Sequence, residues 1–122
     1  MVEIWRPVLG YEGRYEVSSI GRVRSLLSGG RLMRQQLNGR AEDHADYYRV
    51  KLAGNRQRYV HHLVCEAFYG PRPDGLLACH ANGNHRDNWL DNLYWGTPMQ
   101  NAMDMKRHGT FHVYGRRQPR VA

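Results

Sequence analysis

An α+β fold is predicted by three features of the chain. Short β-type runs broken by glycine extend to about Tyr59, an apolar stripe at helical spacing begins at Val60, and residues 76–108 read strand, loop, strand, helix. The first part is therefore a β-rich module and the last a hairpin closed by a helix.

Between Tyr11 and Tyr59 the runs YEVSS, GRVRSLL, YYRVKLAG and RQRYVHH have the length and alternation of strands and hairpins. Ala53-Gly54-Asn55-Arg56 is the strongest turn among them, because Gly and Asn tolerate positive φ. Residues 41–46, AEDHAD, are polar and acidic and read as a loop. From Val60 the period changes. Val60, Leu63, Val64 and Ala67 fall on one helical face, Phe68 widens it, and Gly70-Pro71 stops a helix of about two turns. PRPDG then turns the chain into the short strand LLACH, and LYWGT follows the polar loop ANGNHRDNWLDN as its partner. The last helix has the sharpest start: Thr97 is placed to be its N-cap, Pro98 stands at the first helical position, and Gln100 completes a capping box. Gly109 is expected to end it after Lys106, Arg107 and His108, whose charges suit the negative end of the helix dipole. No heptad, internal repeat or low-complexity linker interrupts this order.

A chain of 122 residues holds one domain or two small modules, which excludes a large multi-domain enzyme. No stretch approaches the roughly 18 apolar residues of a membrane span. The opening MVEIWRPVLG lacks the basic flank and apolar run of a secretory signal, so an intracellular protein is expected. Cys65 and Cys79 fit that setting as free thiols, and two cysteines cannot build a four-cysteine zinc site. The net charge of +7 favours a polyanionic partner. Its distribution says more than its total. Residues 1–58 carry 11 Arg and Lys against 6 Asp and Glu, residues 59–110 carry 4 against 5, and the tail adds Arg116, Arg117 and Arg120. Basic ends thus flank a nearly neutral middle, as expected if the ends grip phosphate and the middle does chemistry with a cation. Sixteen of the 18 basic residues are Arg, which suits bidentate contacts to DNA, although codon usage in a GC-rich genome gives the same bias.

The strand–loop–strand–helix order puts His80 at the end of the first strand, Asn92 beside the second and Asn101 in the first full turn of the helix, where one cleft can hold all three. Phosphodiester hydrolysis needs a base for water, a cation to stabilise the leaving oxygen, and a group that holds the base in its working tautomer. An imidazole and two amides can supply these roles, but an isolated His or Asn means little.

LLACHANGNHRDNWLDNLYWGTPMQN, with VHHLVCEAFYGPRPDG before it, resembles the HNH endonucleases of phages and self-splicing introns. The helix, the residue-His pair, the Asn-Leu, the Trp-x-Thr and the helical Asn occur in order over about residues 57–110. The resemblance implies a ββα-metal fold in which His80 is the general base, Asn92 orients it and Asn101 binds a divalent ion, Mg²⁺ or Mn²⁺ with Zn²⁺ as an alternative. It also implies double-stranded DNA as substrate, a phage- or mobile-element-encoded protein in a bacterial cytoplasm, and either a nick or, through a homodimer, a double-strand break. One departure matters. Intron-encoded members often carry an Asp metal ligand before the catalytic His, and here that residue is Cys79. Either Asn101, water and substrate phosphates hold the ion, or Cys79 is a ligand to a softer ion such as Mn²⁺ or Zn²⁺; the alternative is that Cys79 packs as a small buried residue with no metal role. The helical Glu-Asn of the family is Gln100-Asn101 here, which preserves the capping box.

The segment EIWRPVLGYEGRYEVSSIGRVRSL resembles the nuclease-associated modular DNA-binding domain that precedes many such nucleases. Trp5, Tyr11 and Tyr15 read as core anchors of a small β module. Arg14, Arg22 and Arg24 are the candidates for DNA contact, joined by Arg116 and Arg117 in the tail. Arg22 and Arg24 alternate about Val23 and can share a face while Val23 packs. The expected units are a DNA-binding module over 1–56, a nuclease core over 57–110 and a basic tail over 111–122. His61 reads as structural or as a support behind the site, and His85 as a solvated loop residue, with an approach to metal or phosphate as its alternative. A DNA-binding regulator without turnover and a structural zinc module using Cys79 are the competing readings.

Overall fold

A computed structural model gives the fold and describes residues 2–38 and 47–108. Four short antiparallel strands form the first sheet: β1 (Trp5–Pro7), β2 (Tyr15–Ser18), β3 (Val23–Ser25) and β4 (Arg31–Leu32), paired in that order. In β2 and β3, Val17 lies opposite Val23 and both are buried, whereas the next pair, Glu16 and Arg24, is on the opposite face. A second sheet comprises β5 (Gln36–Asn38), β6 (Tyr47–Leu52) and β7 (Arg56–Tyr59). The turn between β6 and β7 is the one the sequence points to, with Gly54 at φ 81° and Asn55 at φ 62°. The acidic segment 41–46, Gly109 and the tail lie outside the described residues.

Helix α1 (Val60–Tyr69) follows β7 directly and is ten residues long, nearly three turns rather than two. Its buried Val60, Leu63, Val64 and Cys65 face the sheets, each large apolar side chain contributing about 1.5–3 kcal/mol. Gly70, at φ 97°, ends it, and its N–H reaches the carbonyl of Glu66 at 3.1 Å. Strands β8 (Leu77–His80) and β9 (Leu93–Gly96) form the last hairpin, followed by α2 (Pro98–His108). The capping box is reciprocal. Gln100 N–H donates to Thr97 Oγ1 at 3.1 Å, and Thr97 N–H donates to Gln100 Oε1 at 2.7 Å.

One apolar core joins both sheets, α1 and the last hairpin: Val8, Val17 and Val23 from the first sheet and its flank, Val50 and Leu52 from the second, Leu63 and Val64 from α1, and Leu93 from the hairpin. The expected boundary after residue 56 falls inside the β6–β7 hairpin. Tyr15 is a core residue and Tyr11 packs against the core. Trp5 departs from expectation. It is half-buried and lies beneath the guanidinium groups of Arg24 at 4.1 Å and Arg22 at 5.8 Å, so it is a platform for two cations rather than a core anchor. Among the described residues no helix is long and apolar enough to cross a membrane.

Candidate active site

The hairpin β8–β9 places His80 opposite Leu93, and the loop between them folds on its own polar side chains. Asn92 is the clamp. Its Oδ1 accepts the Asn82 backbone N–H at 2.9 Å, while its Nδ2 donates to Asn82 Oδ1 and to the Asp87 carbonyl, each at 2.9 Å. Its backbone carbonyl also accepts the N–H of Ala81. Asn82 and Asn84 add local side-chain-to-backbone bonds, and Asp87 accepts from Asn82 Nδ2 at 2.9 Å.

The resemblance implies that Asn92 orients His80, but both protons of its amide are spent on the loop. Asn88 takes the contact instead: its Oδ1 stands 2.8 Å from His80 Nε2. An amide oxygen can only accept, so Nε2 carries the proton and Nδ1 keeps a lone pair. Asn88 lies eight residues beyond His80 in a loop rich in amides, and nothing in its spacing distinguishes it from Asn82, Asn84 or Asn92.

His80 is 2% exposed and sits in a cluster of aromatic rings. His61 is 4.9 Å away and His85 5.7 Å away, measured between ring centroids. Tyr47 covers the group, stacked on His61 at 4.9 Å and on His85 at 4.7 Å. His85 is therefore a buried member of the cluster, not a solvated loop residue. Burial lowers the His80 pKa to about 4, opposed by the hydrogen bond to Asn88. Burial, then the charge of His80, also holds His61 well below the usual histidine range. Both rings are thus neutral near pH 7, the state in which an imidazole can accept a proton.

Asn101 lines a hollow of about 190 Å³ together with Tyr47, Tyr59, His61, His62 and Ala78. It opens onto the same cluster, since His61 borders both. Cys79 does not line that hollow. It is fully buried, with its sulfur beside Gly96, and its neighbours Asp104 and Tyr94 are hydrogen-bonded to each other. Burial, then the charge of Asp104, pushes its thiol pKa up. The side chain is thus packed away from the hollow that Asn101 lines. Cys65 is likewise free and buried, its thiol pushed up to about 12 by burial.

Among the described residues no group of three or more His, Cys, Asp or Glu side chains is placed to hold a metal. Asn101, which offers one hard oxygen, and His61, whose buried Nδ1 has no hydrogen-bond partner among the described residues, line the same hollow, a donor set that fits an ion completing its shell with water and phosphate.

The arginines singled out from sequence are already engaged. Arg22 forms a two-pronged ion pair with Glu3, and Arg24 bonds Glu16 at 2.8 and 2.6 Å. Arg14 lies over the ring of Tyr11 at 4.8 Å. Arg22 and Arg24 do share a face, around Trp5, with Val23 buried behind them. Arg116 and Arg117 lie outside the described residues.

Comparison with known proteins divides the chain in two. Residues 3–53 match the NUMOD4 motif, and residues 58–103 match the HNH endonuclease family. The chain is 34% identical over 112 residues to the DNA endonuclease I-HmuI of Bacillus phage SP01, covering 89% of this chain and 61% of that enzyme. It is 30% identical over 104 residues to an uncharacterized HNH endonuclease of Acanthamoeba polyphaga mimivirus, covering 82% of this chain and 25% of that protein. A solved structure of DNA binding and cleavage by the HNH homing endonuclease I-HmuI superposes with a TM-score of 0.71 at 33% identity, covering 88% of this chain and 60% of that one. The chain thus spans less than two thirds of the length of these relatives.

Proposed function

From the premise that the chain belongs to the HNH endonucleases and carries an N-terminal NUMOD4 motif, we propose that it hydrolyses DNA phosphodiester bonds with His80 as general base. The observation that carries this reading is the His80–Asn88 hydrogen bond, which fixes the proton on Nε2 and aims a basic Nδ1 lone pair away from it. Burial keeps the ring neutral, so it can take a proton from water at physiological pH. Asn92 acts one step back, by holding both ends of the loop that carries Asn88.

HNH nucleases generally use a divalent ion, and Asn101 would hold it here. When bound, such an ion supplies charge screening at the phosphate and stabilises the leaving 3′ oxygen. One centre of this kind cuts one strand at a time, so a monomer nicks. The relatives suggest a phage- or mobile-element-encoded protein of the homing type.

A DNA-binding protein without turnover is the second reading, favoured by Cys79 standing where a carboxylate ligand is common. Incubation of supercoiled plasmid with the purified chain in Mg²⁺, Mn²⁺, Zn²⁺ or EDTA separates the two. Conversion to open circles in a divalent ion and not in EDTA is expected. Retardation of the plasmid without conversion in any ion would establish the binding-only reading.

A further inference from the structure

We propose that the outward face of the β5–β6–β7 sheet, with the adjoining β4 and the link that follows it, is the track along which the phosphate backbone of duplex DNA reaches the His80 cluster, with Arg31, Arg34, Arg49 and Lys51 as its cationic rail. The proposal rests on the DNA-cleaving reading above and names the surface that delivers the substrate.

Three hollows adjoin one another here through shared wall residues. The first, of about 520 Å³, lies between β4 and the outer face of β6 and includes Arg31, Arg34, Arg49, Lys51 and Gln57 in its wall. The second is bounded by Arg49, Gln57, Arg58 and Tyr59, and the third is the hollow that holds Tyr59, His61 and Asn101. Arg49 and Gln57 are common to the first two, and Tyr59 to the last two. The shared residues thus set the three hollows in a row from the N-terminal sheet to the candidate metal ligand. Strand register accounts for it: Arg49 lies opposite Tyr59 and Lys51 opposite Gln57, on one face, while Val50 and Leu52 point into the core.

The charge along this row is of one sign. Among the described residues no Asp or Glu lines any of the three hollows. Arg31, Arg34, Arg49 and Lys51 take part in no ion pair among the described residues, whereas Arg22, Arg24 and Arg58 are each bound to a glutamate. Arg49 carries a second mark. Its Nε is buried and has no hydrogen-bond partner among the described residues, an arrangement that calls for an acceptor brought by a ligand. A phosphate oxygen is such an acceptor, and a row of cations matches a row of phosphates.

The test is binding of a mixed-sequence DNA duplex by the full chain across a salt series, with EDTA present to prevent cleavage. Arg31, Arg34 and Lys51 are exposed, so the triple Ala variant should keep the wild-type melting curve. Removing one phosphate-binding cation lowers the salt slope of log K by about 0.9, so the slope of the triple variant should fall by between about two and three, and that of Arg22→Ala with Arg24→Ala by less. Arg49→Gln should lower the slope by about 0.9 and Arg49→Lys should retain it. A triple variant with unchanged affinity and slope would overturn the track while leaving the DNA reading in place. A wild-type chain that fails to bind duplex at low salt would overturn both.

Discussion

Gly21 and Asn88 meet so closely that a Cβ added at Gly21 would stand 2.9 Å from both the Cβ and the carbonyl oxygen of Asn88. One further bond spans this junction, from Leu90 N–H to the Ser19 carbonyl at 2.8 Å, and Gln35 Nε2 braces the turn itself by donating to the Gly21 carbonyl at 2.8 Å. The turn between β2 and β3 thus props the loop segment that bonds His80. The N-terminal sheet reaches the proposed general base through one residue.

Gly21→Ala should therefore affect chemistry as well as folding. Its φ of 84° already disfavours a side chain, and the new methyl group must push Asn88 aside. A destabilisation of about 1–3 kcal/mol is expected, with a fall in cleavage rate and little change in DNA affinity. The Nε2–H resonance of His80 should shift as its acceptor moves. A destabilised variant with the wild-type rate and an unmoved resonance would mean that the turn is structural support alone.

Acid should act on both rate and stability. A base must be neutral, and burial brings the His80 pKa down to about 4, so the acid limb of kcat/KM should fall near that value rather than near 6.5. The sign for stability follows from the same depression. Above pH 6.5 the ring is neutral in folded and unfolded chains, and its contribution is fully present. As pH falls from 6.5 toward 4 the unfolded chain takes up a proton that the folded ring refuses, so about 3 kcal/mol is lost across that window. Tyr47→Ala, which uncovers the cluster, should move the acid limb back toward 6.5. Urea unfolding and initial rates measured over the same pH series check both parts.

Cys79→Asp should destabilise the chain. The new carboxylate would be buried beside Asp104, where two like charges cannot both be accommodated without cost. Cys79→Ala should be milder, losing only a small packed side chain. Thermal melting with and without Mg²⁺ is the check, since a Cys79→Asp protein rescued by Mg²⁺ and faster than wild type would return this position to the metal site.

Where the physics is local, the sequence alone is informative. The Thr97–Gln100 capping box, the Gly54-Asn55 turn and the stripe of Val60, Leu63 and Val64 each depend on residues a few positions apart. Asn88 and His85 depend instead on how a twelve-residue loop folds over its own amides, which no periodicity encodes. The pairing of Arg24 with Glu16 lies between these extents. Both flank the Gly21 turn and follow from the hairpin register, yet a count of basic residues passes over them. The cations of β6 are hidden for the converse reason, because YYRVKLAG reads first as a strand and only the register puts Arg49 and Lys51 on an open face.

The role of His80 is open to the most direct test. His80→Ala should abolish nicking of supercoiled plasmid in Mg²⁺ or Mn²⁺ while leaving duplex affinity in EDTA within about twofold of wild type, since the ring acts on water and not on phosphate binding. Undiminished nicking by a folded His80→Ala protein would remove His80 from the mechanism.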